Sequence, residues 1–533
     1  MTVEAIIVLG IAAVCCILLT NRFNLIGPVL LIAAGVGASF IPGTAEASLS
    51  PTIVLTIFLP FLLYWESLSV SLVRMKRALR GIILSATVLV IITAGIIAGV
   101  GVALGLSGAA LLIGACLGPT DATAVASLGK GIAPAGRTIL QSESLLNDGT
   151  ALAIFAIALS IADNGQSVTT SNVITQFALS IGAGAGAGLL WGLTFTTLLP
   201  RIIRIDNDPL LAVLCTIVSP FVAYFAAEEL HGSGVLAVVT AGVVSSWRGV
   251  GTHMVHLRAF GRPFWTVTTF LLNTILFLMV GVSLPGIISG IPQATLTRAL
   301  ILIPAIYVAM VLARFVGHHS IIFAIRALDR RPQQRERRTN FRSRLVTTVA
   351  GFRGAISLAM AVSIPLTFGE STYEERDIIV LVVAGVTLLS LIIQGIALPV
   401  VVRWAAQAPT PFLEMNARAE AGETQVVGAT VRDLIEEIDS LASSVDVTDA
   451  DTIERVRADY LQRMHNLMMS GDFKEYRAYA PDELRLRLAC LSFLRNAAFE
   501  QRRAGNIDDS SFEYIRDSLD IETRHIEGPL EVE

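Results

Sequence analysis

The chain has 533 residues, of which 53% are hydrophobic and only 15% charged, and its mean hydropathy is +0.68. That composition excludes an ordinary water-soluble globular protein; the formal net charge of −4 excludes little, because the charges are segregated along the chain. The five cysteines (Cys15, Cys16, Cys116, Cys215, Cys490) have neither metal-ligand nor disulfide-framework spacing, so they read as buried apolar filler and leave no zinc or redox chemistry.

In chain order, apolar segments long enough to cross a bilayer fall near 3–20, 25–41, 52–72, 80–104, 109–128, 137–161, 174–199, 209–227, 234–247, 262–284, 298–323, 344–364 and 377–402, thirteen in all. The first has no small-residue cleavage site after a basic start and is followed at once by another span, so it reads as a retained helix. Loop charge orients the set. With the N-terminus outside, the inner loops hold Arg22, the group Arg74, Lys76, Arg77 and Arg80, then Lys130, Arg137, Arg201, Arg204, Arg248, Arg258, Arg262 and the stretch Arg326 to Arg344. The outer loops hold Glu46, Asp163, Glu228, Glu229, Glu370, Glu374 and Glu375 and almost no base. The positive-inside rule therefore selects N-out, C-in, with an odd number of spans. From about Ala406 the chain turns polar, with amphipathic stretches at Val431 to Val445, Asp451 to Met469 and Pro481 to Ala504. This reads as a cytoplasmic helical domain over 406–533, either an oligomerisation element or a regulatory domain for a ligand or protein partner.

Thirteen spans permit two inverted six-helix repeats, spans 1 to 6 and 8 to 13, joined by span 7; such repeats bind substrate at the midplane between broken helices. The fold class is thus an all-α membrane protein with crossed, broken helices and a cytoplasmic C-terminal domain. Spans 5 and 12 correspond in this scheme and are interrupted at matching places, by Gly118-Pro119-Thr120-Asp121 and by Gly351-Phe352-Arg353-Gly354. Proline removes a backbone donor and glycine tolerates unusual dihedrals, so both helices are expected to unwind and free carbonyls for a cation. Asp121 and Arg353 then lie where they offset the partial charges of the half-helix ends.

Span 6 carries Glu143 and Asp148 inside an otherwise apolar helix. A charge near the bilayer centre costs about 2.5–3.5 kcal/mol on insertion scales, so such groups face a protein interior and take part in transport. Glu143 and Asn147, like Ser144 and Asp148, are four apart and form one polar surface. Three acids (Asp121, Glu143, Asp148) and one base (Arg353) cannot all be charged in a low-dielectric core; a pair between Arg353 and Glu143 leaves Asp121 and Asp148 in need of a proton or a metal cation.

Gly-Pro-Thr-Asp-Ala-Thr-Ala-Val-Ala at 118–126, Glu-Ser-Leu-Leu-Asn-Asp-Gly-Thr-Ala at 143–151 and Gly-Phe-Arg-Gly-Ala-Ile-Ser-Leu-Ala at 351–359 resemble the three signature segments of the monovalent cation:proton antiporter-1 family of sodium/proton exchangers, of the bacterial NhaP-like type. The resemblance spans residues 1–405, with Ala122 where many relatives carry proline. It implies a homodimer with a scaffold domain (spans 1–3 and 7–10) and a moving core domain (spans 4–6 and 11–13). It implies sodium, potassium or lithium ligands at Asp148, Asp121, Ser144 and the Thr120 main chain, an ion pair between Glu143 and Arg353, and Asn147 steadying that pair. It implies no cofactor and no enzyme activity, only transported cations and protons exchanged one for one at the cell membrane, since Asn147 stands where electrogenic relatives carry a second acid. Partners are then membrane lipids and a second copy of the chain, not nucleic acid. A cation channel, or a cation sensor signalling through the C-terminal domain, would use the same acids.

Other features invite plainer readings. The run Gly182, Gly184, Gly186, Gly188 reads as close helix packing, not dinucleotide binding. Glu66 reads as a helix-end residue rather than a funnel lining, and His318 and His319 as solvated interfacial histidines. The stretch Arg330 to Arg344 either contacts anionic lipid or only fixes topology. No helical zinc-protease motif, P-loop or nucleophile elbow occurs.

Overall fold

A computed structural model of the chain describes residues 3–23, 25–41, 43–44, 50–69, 85–106, 108–121, 134–164, 170–198, 209–248, 255–328, 341–368, 371–372 and 375–406, with the single positions 450, 454 and 458. The chain forms two compact units, Met1–Arg335 with Thr339–Ala408, and Glu336–Arg338 with Pro409–Glu533. The expected helical domain over 406–533 lies outside the described residues save for those three positions, as do most of the basic loop residues used to orient the spans.

Among the described residues of the first unit the regular structure is helical apart from one ribbon. In chain order the helices are α1 (Val3–Phe23), α2 (Gly27–Ala38), α3 (51–69, with a π turn at Val54–Phe58), α4 (85–103, opening on a π turn at Ser85–Leu89), α5 (Ala109–Cys116), α6 (Pro134–Asn164), α7 (170–198, ending on a π turn at Thr194–Leu198), α8 (Pro209–Glu229), α9 (Gly234–Arg248), α10 (Val255–Gly290), α11 (Gln293–Leu328), α12 (Phe341–Val349), α13 (Ala355–Val362) and α14 (376–406, with a π turn at Ser390–Gln394). Helix therefore occurs in each of the thirteen expected segments; the expected interruption of span 12 falls at 350–354, between α12 and α13, and α5 stops at Cys116 ahead of Gly118–Asp121, the rest of span 5 lying outside the described residues. By length and composition seven segments are apolar enough to cross a membrane, within α3, α4, α6, α7, α10, α11 and α14, while α1, α2 and α9 contribute shorter apolar helices. Between α13 and α14, Thr367–Phe368 pairs antiparallel with Ser371–Thr372.

What these helices turn outward identifies their solvent. Along α1, Ile7, Ile11, Val14 and Leu18 recur at helical spacing and are 55–63% exposed. Along α11, Val308, Leu312 and Val316 do the same at 53–58%. Continuous apolar stripes of this kind are unfavourable in water and expected against lipid, where the backbone must satisfy its own hydrogen bonds, as these long helices do. The chain is a multi-pass membrane protein. Its interior is densest around the broken helices, where all eight residues of α13 are buried, as are Ile378 through Ala384 of α14.

Packing between apolar helices in lipid depends on close backbone approach. Where α2 crosses α10, a Cβ on Gly35 would overlap the Leu278 carbonyl and one on Gly281 would overlap that of Ile32. The glycine run in α7 follows the same rule, because Gly184 and Gly188 lie against Ser233, just before α9, and Ala237 of α9, while a Cβ on Gly182 or Gly186 would meet nothing within 4 Å. Of the cysteines, Cys16 and Cys116 are buried as expected, Cys215 is half-buried and Cys15 is exposed, a correction explained by its place on the outward face of α1; Cys490 lies outside the described residues.

Substituting Gly281 or Gly35 by alanine is expected to destabilise the protein by about 1–3 kcal/mol through overpacking, while Gly37→Ala, with open space around it, should be neutral. Thermal unfolding in detergent checks this, and equal melting temperatures for all three variants would count against the crossing.

Candidate ion site

The end of α5 and the break between α12 and α13 meet and exchange charge. Pro119 follows the stop of α5, and the chain continues without regular structure to Asp121, whose backbone N–H donates to the Phe352 carbonyl at 2.9 Å. Arg353 reaches the other way. Its Nε donates to the carbonyl of Leu117, the C-cap of α5, and its Nη1 donates to the Gly351 carbonyl at 3.0 Å. The Asp121 carboxylate lies against Gly354, the N-cap of α13, where a Cβ would overlap it. A cation thus faces the negative C-terminal end of one half-helix and an anion faces the positive N-terminal end of the other. Neither break is a packing kink, since each is fixed by a charged side chain from its partner.

Ser390 and Gln394, in the π turn of α14, hold this crossing from behind. The Arg353 backbone N–H donates to Ser390 Oγ at 3.0 Å, and Ser390 Oγ donates to Gln394 Oε1 at 2.8 Å. A π turn widens the helix locally and turns extra side chains toward one face, which brings both residues to the same backbone.

α6 presents its polar surface to the same place. Ser144 Oγ donates to the Thr120 carbonyl, and Asn147 Nδ2 donates to Thr120 Oγ1 at 2.9 Å. The Thr120 carbonyl, beyond the end of α5, is therefore used, and Thr120, Ser144 and Asn147 form one bonded group. Asp148, one residue on, is wholly buried, and neither of its carboxylate oxygens has a hydrogen-bond partner. Its charged neighbours are Glu66, whose carboxyl adjoins it, Asp121 and Arg353. The structure thus brings Asp148, Asp121, Ser144 and Thr120 together.

Two expectations about this region need correction. Glu143 does not pair with Arg353; its Oε1 accepts a hydrogen bond from Arg314 Nη2 of α11 at 2.8 Å, with both side chains about 5% exposed. Arg353 is unavailable because its donors serve carbonyls at the breaks. Asn147 consequently steadies Thr120 rather than an ion pair. Gly351 makes room for the substitute, since a Cβ there would overlap the Arg314 guanidinium. His318, one turn from Arg314, is buried with Nε2 3.9 Å from Glu143 Oε1, so it is an interior residue and not a solvated one.

The third residue read differently is Glu66. It stands on α3 and lines a cavity of about 70 Å³ together with Trp65, Thr120, Asp121, Asn273 and Ser357. That space accommodates a small ion with a few waters, since a cavity needs only about 10–15 Å³ to hold one water. Arg314 escaped notice, and Glu66 was placed at a helix end, because each is a lone charge in a helix without motif; lone intramembrane charges of this kind are functional candidates by default. Among the described residues, no group of three or more His, Cys, Asp or Glu forms a metal cage, so a cation here would rely on carboxylate, hydroxyl and carbonyl oxygens, a donor set that suits hard cations.

The site residues fall within a region that matches known proteins. A family profile described as "Sodium/hydrogen exchanger, transmembrane" matches residues 9–404. An uncharacterised Na+/H+ exchanger of Mycobacterium tuberculosis is 34% identical over 537 residues, covering 99% of this chain and 97% of the relative. The Na+/H+ antiporter ApNhaP of Aphanothece halophytica is 30% identical, over 70% of this chain and 68% of its own. The sodium, potassium, lithium and rubidium/H+ antiporter of Bacillus pumilus is 29% identical, over 71% and 58%. Among solved structures, the sodium proton antiporter MjNhaP1 of Methanocaldococcus jannaschii superposes with a TM-score of 0.57 at 19% identity, over 75% of this chain and 98% of that one, which is a likeness of fold.

Arg314→Ala is expected to leave Glu143 buried without its charge partner and to cost about 3–5 kcal/mol, the range for breaking a buried pair from one side. Thermal unfolding of the purified variant checks this. A melting temperature equal to wild type would remove the pair from its structural role.

Proposed function

Because the chain belongs to the sodium/hydrogen exchanger family, whose members are secondary transporters and not enzymes, we propose that it exchanges a monovalent cation for a proton across the cell membrane, one for one, by competition at Asp148. The observation that carries this reading is the wholly buried Asp148 carboxylate, unpartnered at both oxygens and set beside Glu66 and Asp121 with Arg353 as its cationic neighbour. Three carboxyls against one guanidinium leave an excess of negative charge that a dry interior tolerates only when a proton or a cation neutralises it.

Exchange follows from that constraint. Asp148 takes either a proton or a cation. Either loaded state carries one unit of negative charge fewer than the empty one and crosses the barrier more readily; the empty state is held where water reaches it. Asp121, Ser144 and the Thr120 main chain hold the cation with Asp148, and Glu66 joins them from α3. The neutral Asn147 next to Asp148 supports an electroneutral cycle. Sodium is the first cargo expected, with potassium or lithium as further cargo, a breadth consistent with the printed name of the Bacillus pumilus relative.

The architecture proposed for this cycle has thirteen spans in two inverted repeats, with spans 1–3 and 7–10 as a dimeric scaffold and spans 4–6 and 11–13 as the moving core. The N-terminus lies outside and 406–533 form a cytoplasmic regulatory domain. The cavity supports that division, because α3 and α10 line it from the scaffold side and the two breaks line it from the core side.

In proteoliposomes holding a pH-sensitive dye, adding sodium is expected to move protons through the wild type independently of membrane voltage, and Asp148→Asn is expected to reduce that flux to background while keeping the fold. Normal exchange by the variant refutes the assignment, and voltage-driven flux without proton movement would point to a channel.

A further inference from the structure

Asn273 is a polar residue of the cavity that the exchange cycle leaves unused, and the one there that brings an amide oxygen. It stands on α10, with Thr269 one turn earlier on the same wall. Thr269 returns its hydroxyl proton to its own helix, donating to the Trp265 carbonyl at 2.8 Å. Asn273 makes no such return, and its Oδ1 is buried without a hydrogen-bond partner. An amide oxygen left bare in an apolar helix forfeits about 1–3 kcal/mol, so its position calls for a compensating occupant. The cavity it lines also contains Glu66 and Asp121, where a cation and its remaining waters would sit.

Resting on the exchange reading, we propose that Asn273 is a specificity-determining residue, whose amide oxygen binds the cation or a water of its shell and sets the preference among alkali ions. A neutral oxygen is the appropriate chemistry at that position. The cavity already has two carboxylates, and a further acid would demand a second proton in every cycle, whereas an amide dipole replaces hydration without changing the charge count. Selectivity between ions of different radius depends on the number and field of such neutral oxygens, so deleting one shifts discrimination as well as affinity. Asn273 would meet the ion from α10, an element that carries none of the α6 ligands.

The test is transport kinetics in proteoliposomes for sodium and for potassium. Asn273→Leu, close in volume but without the oxygen, is expected to raise the apparent KM for the preferred ion about tenfold, equivalent to ~1.4 kcal/mol, with kcat within about twofold of wild type and with an altered ratio between the two ions. Asn273→Gln, which keeps a neutral amide oxygen, should lie closer to wild type in KM and ion ratio than Asn273→Leu. An unchanged KM and ion ratio in Asn273→Leu overturns the proposal. Should that variant fail to assemble, Asn273→Ser withdraws the carbonyl without adding apolar surface, and the same rise in KM is required of it; an unchanged value there overturns the proposal equally. Wild type and Asp148→Asn run alongside. A wild type without cation-driven proton flux would instead sink the exchange reading itself.

Discussion

Burying a carboxylate beside two other carboxyls is the constraint from which the rest of this structure follows. Asp148 is wholly buried, with Glu66 and Asp121 as its acidic neighbours. Such a group is cut off from bulk solvation, so the surrounding chain supplies charge and dipole instead. The crossing of the two breaks does this with material at hand. Arg353 faces the carbonyl end of α5 and Asp121 faces the amide end of α13, each neutralising a half-helix that the bilayer would otherwise penalise. The glycines at 351 and 354 serve that arrangement by leaving out the Cβ atoms that the Arg314 guanidinium and the Asp121 carboxylate would strike.

Separation of structural charge from functional charge is the second theme. Glu143 and Arg314 form a closed, hydrogen-bonded pair deep in the unit, with His318 beside it. Its charges cancel, so it ties α6 to α11 without adding net charge. The excess lies a turn away, on Asp148, Glu66 and Asp121, next to the cavity. Had Arg353 been bound into a pair with Glu143, the carbonyl end of α5 would have lost its cation, and the crossing would have lost one of its two balancing charges.

Much of this was legible in the sequence, for physical reasons that differ by element. Apolar runs of helical length are long, redundant signals, so helix occurs at every expected segment. The breaks were legible because proline and glycine act locally on the backbone, and the polar face of α6 because spacing of four puts Glu143, Ser144, Asn147 and Asp148 on one surface. Partner choice was not legible. Whether Glu143 bonds Arg353 or Arg314 depends on which guanidinium is already engaged with carbonyls, a question of three-dimensional competition that no single helix encodes. Glu66 and His318 were misjudged for the same reason, since a lone titratable residue near a helix end carries no periodic signal of the direction it faces. The interior placement of Glu66 follows only once α3 is seen beside the first break.

The central claim is that one carboxyl is shared in turn by hydrogen ion and alkali metal. It is tested most directly by adding sodium to the purified protein in weakly buffered detergent solution and measuring proton release alongside cation binding. Up to one proton should be set free for each cation bound in the wild type, and none should be released by Asp148→Asn. Sodium binding with no accompanying proton release, or undiminished release from the variant, would contradict it.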